Sequence, residues 1–124
     1  MKLLRVGEKG KEKPAILDKD GKIRDISIHI DDLNPVNLNF ETISKLKNLD
    51  LSSLPELSSN ERVGSCITKP GKFVAIGLNF SDHAAESNLP VPSEPITFMK
   101  ATSSINGPND NIEILPDSKK LDWE

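Results

Sequence analysis

Three side chains in the second half of this sequence have the types and spacing that proton-transfer chemistry uses. His83 and Glu86 stand three positions apart in Ser81-Asp82-His83-Ala84-Ala85-Glu86, and Lys100 closes the apolar run Ile96-Thr97-Phe98-Met99. Positions i and i+3 share one face of a helix, so Glu86 is within reach of His83. A carboxylate hydrogen-bonded to an imidazole selects its tautomer and raises its basicity, as a general base requires. A lysine at the mouth of a sheet is a cation that can bind a carboxylate or stabilise a developing oxyanion. Glu124, two residues after Asp122, could give one oxygen ligand to a hard cation, which takes a carboxylate or two together with water and substrate. Each residue also has a purely structural reading. His83 and Glu86 suit a helix N-terminus capped by Ser81 or Asp82, and Lys100 and Glu124 suit groups that simply reach solvent. His29 and Cys66 have no partner at ligand or triad spacing and read as structural.

The elements that must position these residues are short. Leu3 to Val6, Pro14 to Leu17 and Ile23 to Ile28 alternate as strands, separated by Gly7-Glu8-Lys9-Gly10 and Asp18-Lys19-Asp20-Gly21, and predict a β meander over residues 1–32. Phe40 to Leu46 is apolar at i, i+3 and i+6 and predicts a short helix. Leu49 to Ser59 reads as a loop that packs through its leucines. Gly64, Pro70 and Gly71 mark a boundary, after which 72–77 reads as a buried strand and Phe80 to Ser87 as the first turns of a helix. Asn88 to Pro95 must be extended, Ile96 to Met99 a strand, Ser103 to Asp110 a turn-rich loop, and Glu113 to Leu115 another strand. The expected class is α+β, mostly β, with a small β-rich domain over 1–65 and a second, incomplete one over 66–124. Strand openings without partners, and Trp123 with nothing to pack on, suggest the N-terminal piece of a longer protein.

Composition limits the alternatives. The 124 residues carry 16 Lys+Arg against 19 Asp+Glu, interspersed, so neither a basic face for nucleic acid nor an acidic tail is present. No apolar run approaches the roughly 20 residues of a membrane span, and the N-terminus lacks a signal-peptide core. One cysteine excludes an internal disulfide and fits a reducing compartment, so the cytoplasm is expected. No zinc spacing, phosphate-binding loop or nucleophile elbow occurs.

Taken in order, the blocks KPGKFVAIGLNFSDHAAE, PITFMKATSSINGPND and LDWE resemble the fumarylacetoacetate hydrolase family. The N-terminal KLLRVGEKGKEKPAILDKDGKIRDIS is similar to the small extra domain of bacterial members described as ureidoglycolate lyases or 2,4-diketo-3-deoxy-sugar-acid hydrolases. The resemblance implies a mixed β-roll begun in the second half, a catalytic His-x-x-Glu dyad at His83 and Glu86, an active-site lysine at Lys100, and the first metal-binding glutamate at Glu124. It implies Mg²⁺ or Mn²⁺, with most ligands beyond residue 124, a small 2-oxo acid substrate and a homodimer. Phe80 and Ser81 stand where the family often has a tyrosine and a basic residue. The implied reaction is carbon–carbon cleavage in a 2,4-dioxo acid, with ureidoglycolate cleavage, decarboxylation and hydration as alternatives. A different class, a non-catalytic binding or assembly module, is the competing expectation.

Overall fold

A computed structural model describes residues 1–121. Asp122, Trp123 and Glu124, and with them the expected metal ligand and the expected tryptophan packing, lie outside the described residues.

Strands β1 (Lys2–Val6), β2 (Lys13–Leu17), β3 (Ile23–Asp25) and β4 (Glu56–Leu57) form an antiparallel sheet in chain order. Leu3 and Arg24 flank Ile16 in the register. Alternation sends neighbouring residues to opposite faces, and here both faces are covered. Ile16 packs with Ile26, Leu46 and Leu54 on one side, while Val6, Ala15 and Ile23 cluster on the other. Leu46 comes from helix α1 (Phe40–Lys47), which starts where the Asn39 side chain accepts from the Thr42 N–H at 2.9 Å. That cap satisfies one of the orphan donors of the first turn. An i,i+4 pair, Glu41 to Lys45, runs along its exposed side.

The sequence reading needs five corrections, the last at the N-cap of α2. The third strand stops at Asp25, because the Asp25 carboxylate accepts from the Ser27 N–H at 2.8 Å and starts a turn. In that turn the His29 and Ile30 N–H groups both donate to the Ile26 carbonyl, so His29 is a turn residue. The leucine-rich loop contains a single 3₁₀ turn (Leu51–Ser53) and then β4, which extends the sheet by pairing Leu57 with Ile23. Residues 113–115 form no strand.

The fourth correction concerns 72–77. Among the described residues strand β5 (Val74–Gly77) pairs only with β6 (Ile96–Met99). With one neighbour and no covering layer among the described residues it is exposed rather than buried: Val74 is 53 % and its cross-strand partner Met99 58 % accessible. Helix α2 (Ser81–Glu86) follows β5 directly, and only Ala84 on it is buried. Phe80, not Ser81 or Asp82, occupies the N-cap position, without a side-chain cap.

Residues 62–64 fold back along β1 and form a seam that Gly107 and Asp110 approach from the second half. Val63 bridges Val6, the Gly7 N–H donates to the Arg62 carbonyl, and the Gly64 N–H donates to the Arg5 carbonyl, both at 2.8 Å. Residues 62–64 thus line the outer edge of β1.

Candidate active site

Local backbone explains why the 77–88 segment presents its side chains. β5 ends at Gly77, and Leu78 then turns at φ 48°, a left-handed conformation that costs a bulky L-residue energy. Asn88, at φ 52°, ends α2 on the other side. The helix between these two bends is too short to be stable from its own propensity.

His83 and Glu86 both face solvent on α2. The His83 backbone N–H donates to Asp82 Oδ1 at 2.9 Å, and its carbonyl accepts from the Ser87 N–H at 3.1 Å. Among the described residues no hydrogen bond or ion pair joins the His83 ring to Glu86. The i+3 spacing brings the pair onto one short helix without fastening them to each other.

Lys100 is half-buried just past β6. Its backbone N–H donates to the Phe73 carbonyl at 2.8 Å, and its Nζ lies 5.9 Å from the centre of the Phe98 ring, within cation–π range. The antiparallel register pairs Gly77 with Ile96 and Val74 with Met99. The strand–helix turn that leads to His83 and the Lys100 end are thus opposite ends of the ladder. At about 3.4 Å per residue, the ladder is on the order of 13 Å long. The described residues do not connect the lysine to the dyad.

No group of three or more His, Cys, Asp or Glu side chains converges among the described residues. The described residues therefore do not by themselves make a divalent-cation site. Cys66 is free and exposed, away from any such grouping.

The sequence reading missed the most heavily bonded polar group of the described residues, a chain of ions at the seam. Arg5 grips Asp32 with Nε at 2.6 Å and Nη2 at 2.9 Å, and Nη2 also reaches Glu12 at 3.3 Å. The other Glu12 oxygen accepts from Arg62 Nη1 at 2.8 Å. Arg62 in turn clasps Asp110 through Nε at 2.7 Å and through Nη2. Arg5 and Glu12 are nearly sealed, with side chains 8 % and 7 % exposed. Burial, the largest influence on Glu12, pushes its carboxyl up, but the bonds from Arg62 and backbone N–H groups and the Arg5 charge outweigh it and hold the group below its ordinary value. The Arg62 hydrogen bond likewise holds the Asp110 carboxyl down. Isolated, widely spaced letters in the sequence (5, 12, 32, 62, 110) carry no periodic signal of this. Beside the chain of ions lies a cleft of about 320 Å³, lined by Arg5, Lys69, Thr102, Ser103 and Asn106 among others. His83, Glu86 and Lys100 are not among its walls.

The chain is 52 % identical along its whole length to a Burkholderia ambifaria protein and 53 % identical to one from Burkholderia multivorans, both provisionally named hydrolases. It spans 44 % of the length of each. A crystal structure of a provisionally named HpcE protein from Mycobacterium smegmatis superposes with a TM-score of 0.66 at 22 % identity, covering 94 % of this chain and 41 % of that one. That likeness concerns the fold, a sheet-rich part of such an architecture. Residues 72–124, which contain the dyad and Lys100, match the family model described as fumarylacetoacetate (FAA) hydrolase C-terminal, and in this segment the chain is similar to the FAA hydrolase family.

Proposed function

We propose that this chain is part of an FAA hydrolase-family enzyme, a hydrolase or lyase that cleaves a carbon–carbon bond in a 2,4-dioxo acid. The observation that carries the proposal is the family match over 72–124, which includes all three chemistry-bearing residues of the second half. His83 accepts a proton from the water as its oxygen bonds to the attacked carbonyl carbon and returns it to the carbon that departs when the C–C bond breaks, Glu86 orients the imidazole when substrate closes the site, and Lys100 offsets the negative charge that develops on the attacked carbonyl. An apo dyad with loose geometry is compatible with this role, since catalytic hydrogen bonds often tighten only with substrate bound. A divalent cation, Mg²⁺ or Mn²⁺, belongs to the proposal only through groups other than the described residues. Ureidoglycolate cleavage and decarboxylation of a 2-oxo acid are variants of the same proposal, as are a homodimeric state and a cytoplasmic location.

The test is turnover of an acylpyruvate by the full-length chain. His83→Ala is expected to lower kcat at least ~10²-fold, the lower end of a general base's contribution. An unchanged rate would remove His83 from the mechanism. One observation favours a second reading, a non-catalytic assembly module: His83 and Glu86 are exposed and not bonded to each other. Under that reading no 2-oxo acid is turned over and His83→Ala leaves assembly intact.

A further inference from the structure

Residues 101–110 leave Lys100 and return to the N-terminal sheet as a loop with little apolar anchoring. Ala101 to Ser104 are all exposed, with one 3₁₀ turn over Thr102–Ser104. Two fixed points hold this loop. At its start the Lys100 N–H is bonded to Phe73. At its end Asp110 accepts from the Arg62 guanidinium through both carboxylate oxygens, a two-pronged bond that fixes orientation as well as distance. Asp110 Oδ2 also accepts from the Gly107 N–H at 3.0 Å, so the grip extends back along the loop. Contact at the seam is close enough to forbid a side chain. A Cβ on Gly107 would fall 2.7 Å from the Val63 carbonyl oxygen and from Asp110 Oδ2.

Arg62 is itself held by the N-terminal sheet. Its backbone carbonyl accepts from Gly7, its Nη1 donates to the Gly7 carbonyl at 3.2 Å and to Glu12, and Glu12 is tied to Arg5. The line of contacts from β1 is therefore continuous through Glu12, Arg62 and Asp110 to Gly107, seven residues past Lys100, and each link is a charged or backbone hydrogen bond. We infer that Arg62 and Asp110 are positioning residues, through which the N-terminal sheet sets the placement of the 101–110 loop and so of Lys100. This deepens the proposed hydrolase reading and rests on it for the role of Lys100. Neither residue touches substrate in this account.

The experiment measures amide hydrogen exchange and steady-state kinetics on the full-length chain, comparing wild type with Asp110→Asn and Arg62→Lys. Asn keeps the size of Asp110 but loses the charge, and Lys keeps the charge of Arg62 but cannot fork. Asp110→Asn is expected to speed exchange across 100–107 at least ~10-fold while β1 and β2 stay protected, as local rather than global opening requires. On a 2,4-dioxo acid it lowers kcat about 10-fold with KM within about twofold, the signature of an interaction that matters in the transition state. Arg62→Lys falls between. Unchanged exchange in both variants overturns the inference whatever the kinetics show. Faster exchange with unchanged kcat, in a protein that His83→Ala inactivates, overturns the positioning role. If wild type turns over no 2-oxo acid, or His83→Ala has no effect, the hydrolase reading fails and takes the catalytic purpose of the clamp with it. Exchange still decides the clamp itself.

Discussion

Glu12 is the residue on which most depends. One carboxylate serves two guanidiniums and the Gly10 N–H at 3.0 Å, so its loss strips partners from both arginines at once. Arg5 retains Asp32 and Arg62 retains Asp110, which limits the damage to the bonds Glu12 itself makes. Glu12→Gln is therefore expected to cost about 2 kcal/mol, the scale of a buried hydrogen bond to a charged group, seen as a lower urea midpoint with unchanged slope. Unaltered stability would show that water replaces Glu12 at no cost. His83 lies at the other extreme. Its spacing to Glu86 was legible in the sequence, and so was its helix, but the bond between the two side chains is not made among the described residues. Residue type and spacing specify what a pair can do; rotamers and a bound substrate specify whether it does.

At the scale of elements, period and turn chemistry explain which parts of the fold were legible. The meander was, because Asp18 and Gly21 close a tight turn between strands whose alternation is plain. Helix α1 was too, through the apolar spacing from Phe40 to Leu46, to which the structure adds the Asn39 cap. β4 was not legible: two residues have no periodicity, and only their pairing with β3 makes them a strand. The end of β3 was missed for the opposite reason, a local side-chain bond at Asp25 overriding an apolar pattern that continued to Ile28. Leu46 ties the legible elements together, being the buried residue of α1 and packed against Ile16 of β2. Leu46→Ala is expected to destabilise the N-terminal sheet by about 3 kcal/mol, from lost transfer energy plus the cavity left behind. A loss below about 1 kcal/mol in chemical denaturation would mean that α1 is not a structural part of the core.

Across the whole molecule the halves differ in how they are held. The first has two apolar clusters and a chain of ions nearly sealed at Arg5 and Glu12, with Asp110 of the second half at its end; the second, over β5 and β6, exposes Val74, Ile76, Phe98 and Met99. A two-stranded ribbon of this kind is marginal by itself and offers open edges. The 124-residue chain is therefore expected to associate as concentration rises, and Ile76→Lys to suppress it; light scattering that does not change between the two would contradict this. Acid should act mainly on the first half and on its contact with Asp110. The Glu12 and Asp110 carboxyls have folded-state pKa values below their ordinary ones, so their stabilisation is complete above the unfolded values near about 4 and is lost as pH falls through the folded ones. Melting temperature should stay level from neutral pH to about 5 and fall below about 4, with a shallower fall in Glu12→Gln. The strip at 62–64 carries one more implication, for the order of events during synthesis. Among the described residues every backbone hydrogen bond that lines the outer edge of β1 comes from a residue numbered 64 or lower. Once that stretch has left the ribosome, the first sheet can be edged along β1 and buried, and the hairpin with its histidine and lysine emerges later onto a platform that is already built.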